Sequence, residues 1–135
     1  MSEENVEIVR GAIEAFNRQD FDVLASVCHE DFEFVSVLAA VDAGEATYRG
    51  SDAWREYSER MSETWDDWRV EDVQVFDGGD DRIAVIFRLL GSGKSSGVPV
   101  DREVGADYRI RDEKLWRMRS YSTAREALEA AGLSE

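Results

Sequence analysis

The amino-acid sequence predicts an α+β domain in which a mixed, mostly antiparallel sheet is covered by helices that precede it in the chain. Three observations carry the prediction. Residues 82–121 read as three consecutive strands, RIAVIFRLL, VPVDREVGADYRIR and KLWRMRSY, joined by the loop GSGKSSG and a tight turn at Asp112-Glu113. The first of these is apolar at every position from Ile83 to Leu90 except Arg88, so both its faces need cover. Upstream, apolar residues recur at helical spacing, and the order α, α, β, α, then a run of strands, then a short α leaves more strands than crossovers.

Taken in order, Ser2 reads as an N-cap with Glu3 and Glu4 in the first turn, where carboxylates suit the helix dipole. Val6, Val9, Ile13 and Phe16 then mark a helix to about Arg18. Asn17-Arg18-Gln19 is long enough only for a corner, and Asp20 caps a short second helix with Phe21, Leu24 and Val27 on its apolar face. Phe32, Phe34 and Ser36 alternate with Glu33 and Val35, a strand over 31–37. A loop through Ala43–Thr47 leads to Tyr48-Arg49-Gly50, and Ser51 reads as the cap of a third helix with the stripe Trp54, Tyr57, Met61 and Trp65. A strand begins at Trp68 and Val70, and its alternation slips before Val73 and Val75, as either a bulge near Glu71-Asp72 or a strand boundary at that point would cause. Asp77-Gly78-Gly79-Asp80 is a turn into the three-stranded run. Thr123 and Glu126 form a capping box for a last helix over 124–131, with Gly132 at the C′ position.

Composition bounds the function. A chain of 135 residues makes one domain, spanning 1–135, that buries about 70% of its unfolded surface without staples. One cysteine, Cys28, supports no internal disulfide and suits a reducing compartment, so a cytoplasmic location is expected, with neither signal peptide nor membrane span. The formal net charge of −14 argues against nucleic acid and anionic membranes as partners.

Alternation sorts the strand run into two faces. Ile83, Val85, Phe87 and Leu89 share one with Val104, Ala106, Tyr108 and Ile110. Ala84, Ile86, Arg88 and Leu90 share the other with Asp101, Glu103, Gly105 and Asp107. A three-residue loop at Asp112-Glu113 brings Trp116, Met118 and Ser120 onto the first face. A two-residue turn would bring Leu115, Arg117, Arg119 and Tyr121 instead, and burying two arginines beside Tyr108 costs too much. The three-residue loop is therefore expected. The first face should look towards the helices, with Phe32 and Val85 filling the core and Met61 either joining them or walling a pocket. Arg88 should pair across strands with Asp101 or Glu103. Because helices can cover only one face, a homodimer through Ala84, Ile86, Arg88 and Leu90 is expected.

Several stretches carry a family likeness: Glu4–Arg10 with Glu14-Ala15-Phe16-Asn17, Asp31-Phe32-Glu33-Phe34, Tyr48-Arg49-Gly50, Gly91–Val98 and Glu126–Leu133. Together they resemble the bacterial SnoaL-like proteins of the nuclear-transport-factor-two-like superfamily, over essentially the whole chain. The resemblance implies a curved sheet wrapped by helices into a cone with an internal pocket, and back-to-back sheet dimers. Its members include polyketide cyclases, ketosteroid isomerase, limonene epoxide hydrolase, dehydratases and many non-enzymatic binding or association domains, so fold alone does not choose among them. In the isomerase branch a carboxylate base, a tyrosine and a protonated acid do the chemistry. By matching strand patterns these positions fall at Ser36, near Ala12 and at Ala106, so isomerase activity is not expected.

The expected pocket is walled by Phe34, Trp54, Tyr57, Met61, Phe87, Tyr108, Trp116, Met118 and Ser120, and should hold a hydrophobic or aromatic small molecule. A cyclase-like aldol catalyst or hydratase, and an association domain with a filled pocket, are the alternatives. Asp107 is the one carboxylate near a catalytic position, inward only if a bulge at Gly105 turns it. His29 reads as a surface residue ending the second helix. No ligand spacing suggests a metal, no motif a cofactor, and GSGKSSG lacks the strand–loop–helix setting of a phosphate loop.

Overall fold

A computed structural model describes residues 2–36, 46–121 and 123–133 of the chain. Among them the order is α1 (Ser2–Arg18), α2 (Phe21–Val27), β1 (Cys28–Ser36), β2 (Ala46–Arg49), α3 (Ala53–Thr64), β3 (Trp65–Gly79), β4 (Arg82–Gly93), β5 (Pro99–Arg111), β6 (Lys114–Tyr121) and α4 (Ala124–Ala130). The strands form one sheet in the order β2-β1-β6-β5-β4-β3. Only β1 and β6 run parallel, so the sheet is mixed and mostly antiparallel as expected. Residues 43–45 of the expected loop, and Val37 at the expected end of the first strand, lie outside the described residues. Among those that follow, 46–49 pair with β1 as a strand rather than ending a loop.

Local chemistry explains most boundaries. Asp20 caps α2 through its carboxylate, which accepts the Val23 N–H at 3.3 Å. The expected cap at Ser51 is not made: Asp52 holds the N-cap position of α3, without a side-chain bond. Thr123 caps α4, its hydroxyl accepting the Glu126 N–H at 3.2 Å, and Gly132 leaves the helix at φ +82°. Asp80 and Asp81, at φ 54° and 61°, turn β3 into β4 as a type I′ turn requires.

The pairing of β4 with β5 sets Ile83 opposite Tyr108, Val85 opposite Ala106 and Phe87 opposite Val104, the register that alternation predicts. The expected bulge in β3 is present between Glu71 and Gln74, with Asp72 at φ 54°. A second break, between Asp66 and Arg69, lifts Trp68 out of the ladder. The amide of Asn17, at the end of α1, clamps this edge from above. It donates to the Val70 carbonyl at 2.9 Å and accepts the Val70 N–H at 3.1 Å.

The turn at Asp112-Glu113 differs from expectation. Both residues lie at positive φ, 55° and 62°, and Arg111 pairs with Lys114, so two residues make the turn. A register break between Arg109 and Ile110 then resets the pattern. Leu115 faces Ile110, Trp116 is displaced, Arg117 lies opposite Arg109, and Met118 lies opposite Tyr108. Met118 and Ser120 therefore still point inward, at 6% and 3% exposure, while Arg117 and Arg119 stay out. The energy of burying arginine decides the face, and the bulge, not the turn length, is how the chain satisfies it.

The expectation that helices cover only one face is corrected. α4 lies on the second face of β4 and β5, where Ala84 is fully buried and Ile86 nearly so. Gly105 permits this approach, since a Cβ there would sit 2.5 Å from the Cβ of Ala127. A partner subunit is thus not needed to cover Ala84 and Ile86. Arg88 remains half exposed, chelated by Asp101 and, at 3.0 Å, by Asp72 from the β3 bulge. Its cross-strand partner is the expected Asp101.

Candidate functional site

The first face of the sheet, closed over by α1 and α3, encloses an apolar cavity of about 40 Å³. Helical spacing on α3 aims Trp54 and Tyr57 at it, and strand alternation does the same for Phe34, Phe87, Tyr108, Met118 and Ser120. These seven of the expected residues share its wall. Met61 is buried at 4% exposure but belongs to the core beside the cavity, as Phe32 and Val85 do. Trp116 is not on the wall. The bulge in β6 turns it out of the cone, where the guanidinium groups of Arg111 and Arg117 stack on it at 3.8 and 4.2 Å from its ring centre.

The rest of the wall comes from residues read first as helix or strand markers: Ala12, Ile13 and Phe16 of α1, Trp68 and Val70 of β3, and Leu89 of β4. The stripe of α1 was a sufficient signal for Phe16. Trp68 gave none, because only the bulge directs it inward. It packs against Phe16 with ring centres 5.0 Å apart and meets Tyr57 edge to face at 6.1 Å. Its indole N–H reaches Ser62 Oγ at 3.4 Å, and Gly91 opposite leaves room for its backbone, since a Cβ on Gly91 would lie 3.0 Å from Trp68 Cα.

Polar atoms on this wall are few and uncharged. Burial pushes the phenols of Tyr57 and Tyr108 well above their ordinary range, with the Ser36 hydroxyl offsetting part of that at Tyr57. Both remain protonated near neutrality. The Trp54 indole N–H has no hydrogen-bond partner, and its polar neighbour is the Cys28 sulfur. Burial raises that thiol to about 11, so Cys28 is a protonated core residue rather than a nucleophile. Among the described residues the wall holds no carboxylate and no imidazole.

Asp107 faces away from the cavity. Gly105 brings no bulge, and parity holds the carboxylate on the second face at 6% exposure. One oxygen, Oδ1, has no hydrogen-bond partner, and Oδ2 lies 3.6 Å from Arg109 Nε. Burial raises its pKa above the ordinary 3.8, against the pull of Arg109 and Arg82. Folding therefore takes up a proton at this group. Its contribution to stability is fully present below the unfolded value and is lost as pH rises through the folded value. Asp107→Asn should accordingly raise the melting temperature at neutral pH, with the gain vanishing near about pH 3 where the parent is also uncharged. Thermal unfolding of both proteins across that range measures it; equal gain at every pH contradicts the account.

His29 lies in β1, not at the end of α2. Its Nδ1 accepts the Asp31 N–H at 3.0 Å and its Nε2 lies 3.4 Å from Asp112 Oδ2. Nε2 thus reaches across to the β5–β6 turn, while Nδ1 is engaged by the backbone of β1 itself. No group of His, Cys, Asp and Glu among the described residues could hold a metal ion. No helix among them is long and apolar enough to cross a membrane.

The family model described as a SnoaL-like domain matches residues 9–118. Among solved structures, an NTF2-like protein from Burkholderia xenovorans is 25% identical, the match covering 97% of each chain with a TM-score of 0.75. A putative polyketide cyclase from Xanthomonas campestris is 18% identical, covering 96% of this chain and 98% of that one, with a TM-score of 0.74. A hypothetical protein from Catenulispora acidiphila with a ketosteroid isomerase-like fold, crystallised in complex with trimethylamine, is 19% identical, covering 94% and 93%, with a TM-score of 0.73. Among curated proteins, none matches the chain.

Proposed function

The chain belongs to the SnoaL-like domain family, and from that premise we propose that it is a small-molecule-binding cone whose ligand is compact and apolar-surfaced. The observation that carries this is the wall itself. Seven of its 13 residues are aromatic, they come from both helices and four strands, and they surround free space rather than closing on it. A volume of about 40 Å³ suits a group of a few heavy atoms and not a fused ring system. The Catenulispora structure, with trimethylamine bound, is a relative in fold whose ligand has that scale. Acid–base catalysis of the aldol or hydratase kind would need a base, and the described wall offers protonated phenols and hydroxyls only.

Trp54 and Trp68 line the cavity, so binding should alter intrinsic fluorescence. Native mass spectrometry of the purified full chain should show a small retained mass that is released on denaturation. A bare chain whose tryptophan emission no small apolar molecule changes would overturn the proposal. The smallness of the cavity favours one other reading, an association domain with a filled cone. It would pair through the part of the second face that α4 leaves open, at Arg88 and Leu90. Sedimentation of the ligand-free protein as a stable dimer, joined to the negative binding result, would establish that reading instead.

A further inference from the structure

We propose that a row of arginines across the second face of the sheet docks an acidic segment of another protein. The register of five strands builds the row. Arg49 of β2 lies opposite Glu33 of β1, Glu33 opposite Arg117 of β6, Arg117 opposite Arg109 of β5, and Arg109 opposite Arg82 of β4. At the spacing of neighbouring strands the row runs for about 20 Å. One residue along each strand lies the matching inward row, Phe34, Met118, Tyr108 and Ile83, all buried in the cone. Alternation therefore sends the arginines outward, beside the ground that α4 covers at Ala84 and Gly105. The side chains of Arg49, Arg109 and Arg117 are 71%, 43% and 38% exposed.

Like charges directly opposite on neighbouring strands are destabilising, yet Arg117, Arg109 and Arg82 occupy three adjacent strands with no carboxylate between them. The chain is rich in carboxylates, 30 acidic residues against 16 basic, and places none of them there. Those nearby stand to the side. Glu33 holds the β2 end, 2.8 Å from Arg49 and 3.8 Å from Arg117, and Asp107 lies 3.6 Å from Arg109 Nε. Asp31 and Glu126 stand at the margins, where Arg111 and Arg119 add two more guanidinium groups. Cations thus outnumber carboxylates on this face of a chain whose net charge is −14. A partner's carboxylates would relieve the cross-strand repulsion, in the bidentate pairs that guanidinium favours. At physiological ionic strength charges act over about 8 Å, so a short acidic segment lying on the row meets mainly the arginines. A nucleic acid or an anionic membrane reaches past the row to the carboxylates beyond it, and is disfavoured.

Fluorescein-labelled deca-glutamate, titrated into the full chain at low ionic strength and followed by anisotropy, should bind, and deca-glutamine should not. Affinity should fall as salt is raised to physiological strength. Arg117→Gln should weaken binding about fivefold. Arg49→Gln, at the most exposed position of the row, is the second variant should the first disturb β6. Arg55→Gln, an equal loss of charge on α3, should change the affinity less than about twofold. Equal losses at Arg55 and in the row would overturn the proposal, since the binding would then belong to charge anywhere on the chain. So would tighter binding of a DNA duplex of about ten base pairs, or no binding of deca-glutamate at all. Sedimentation in the same buffers tests the remaining occupant. A dimer that the row variants dissociate and deca-glutamate does not displace would put a second copy of the chain on the row, and overturn the proposal as well.

Discussion

Phe34→Ala should lower the free energy of unfolding by about 3–5 kcal/mol, the range for deleting a large aromatic from a packed interior. Phe34 is 2% exposed and joins the two halves of the cone. It stacks on Trp54 at 5.1 Å, meets Tyr57 edge to face at 4.8 Å and touches Tyr48 at 5.9 Å. Alanine would strip all three contacts and merge the space of the ring with the existing cavity. The variant should therefore both lose stability in urea and gain affinity for benzene, which an apolar cavity of about 150 Å³ admits. A loss below about 1 kcal/mol with no benzene binding would mean that the wall collapses to fill the gap, and that the cavity is not held open by its surroundings.

Gly105→Ala should detach or displace α4, at a cost of about 1–3 kcal/mol. The added methyl would lie 2.5 Å from Ala127 Cβ, and both atoms are borne by backbone, so no side-chain rotation relieves the clash. Gly78 makes the same close approach at the other end of the helix, where a Cβ would collide with the Ala131 carbonyl oxygen. Amide hydrogen exchange in 124–131 should accelerate in the Gly105 variant while exchange in β4 and β5 changes less. Ala127→Gly in the same chain should recover part of the loss, since it removes the opposing atom. Equal destabilisation in the presence and absence of Ala127→Gly would place the effect in the β5 backbone instead.

The structure separates what periodicity can read from what it cannot. The stripe of α1 and the alternation of β4 and β5 follow from local rules, and the observed register of Ile83 with Tyr108 agrees with them residue by residue. Five of the nine expected wall residues, Phe34, Trp54, Tyr57, Phe87 and Tyr108, share one cavity for the same reason. Trp116 shows the limit. The turn before it has two residues, not three, and a break in the β6 ladder corrects the parity so that Met118 and Ser120 stay inward while Trp116 leaves the cone. Alternation predicts a face only until a bulge, and a bulge inserts one residue with no compositional mark of its own.

The sequence by itself determined the element order apart from β2, the mostly antiparallel pairing, the inward face of the long strands and the aromatic character of the pocket. Each of these depends on interactions between residues close in the chain or on simple alternation. Only the tertiary structure decided that Trp68 joins the wall, that Asp107 is buried away from it, and that α4 closes the second face over Ala84 and Gly105. It also decided the size of the cavity, about 40 Å³. Those outcomes depend on where bulges fall and on how closely two backbones approach. Both are settled by packing among elements far apart in sequence, where a shift of one residue or of 1 Å changes the result at little cost in local propensity.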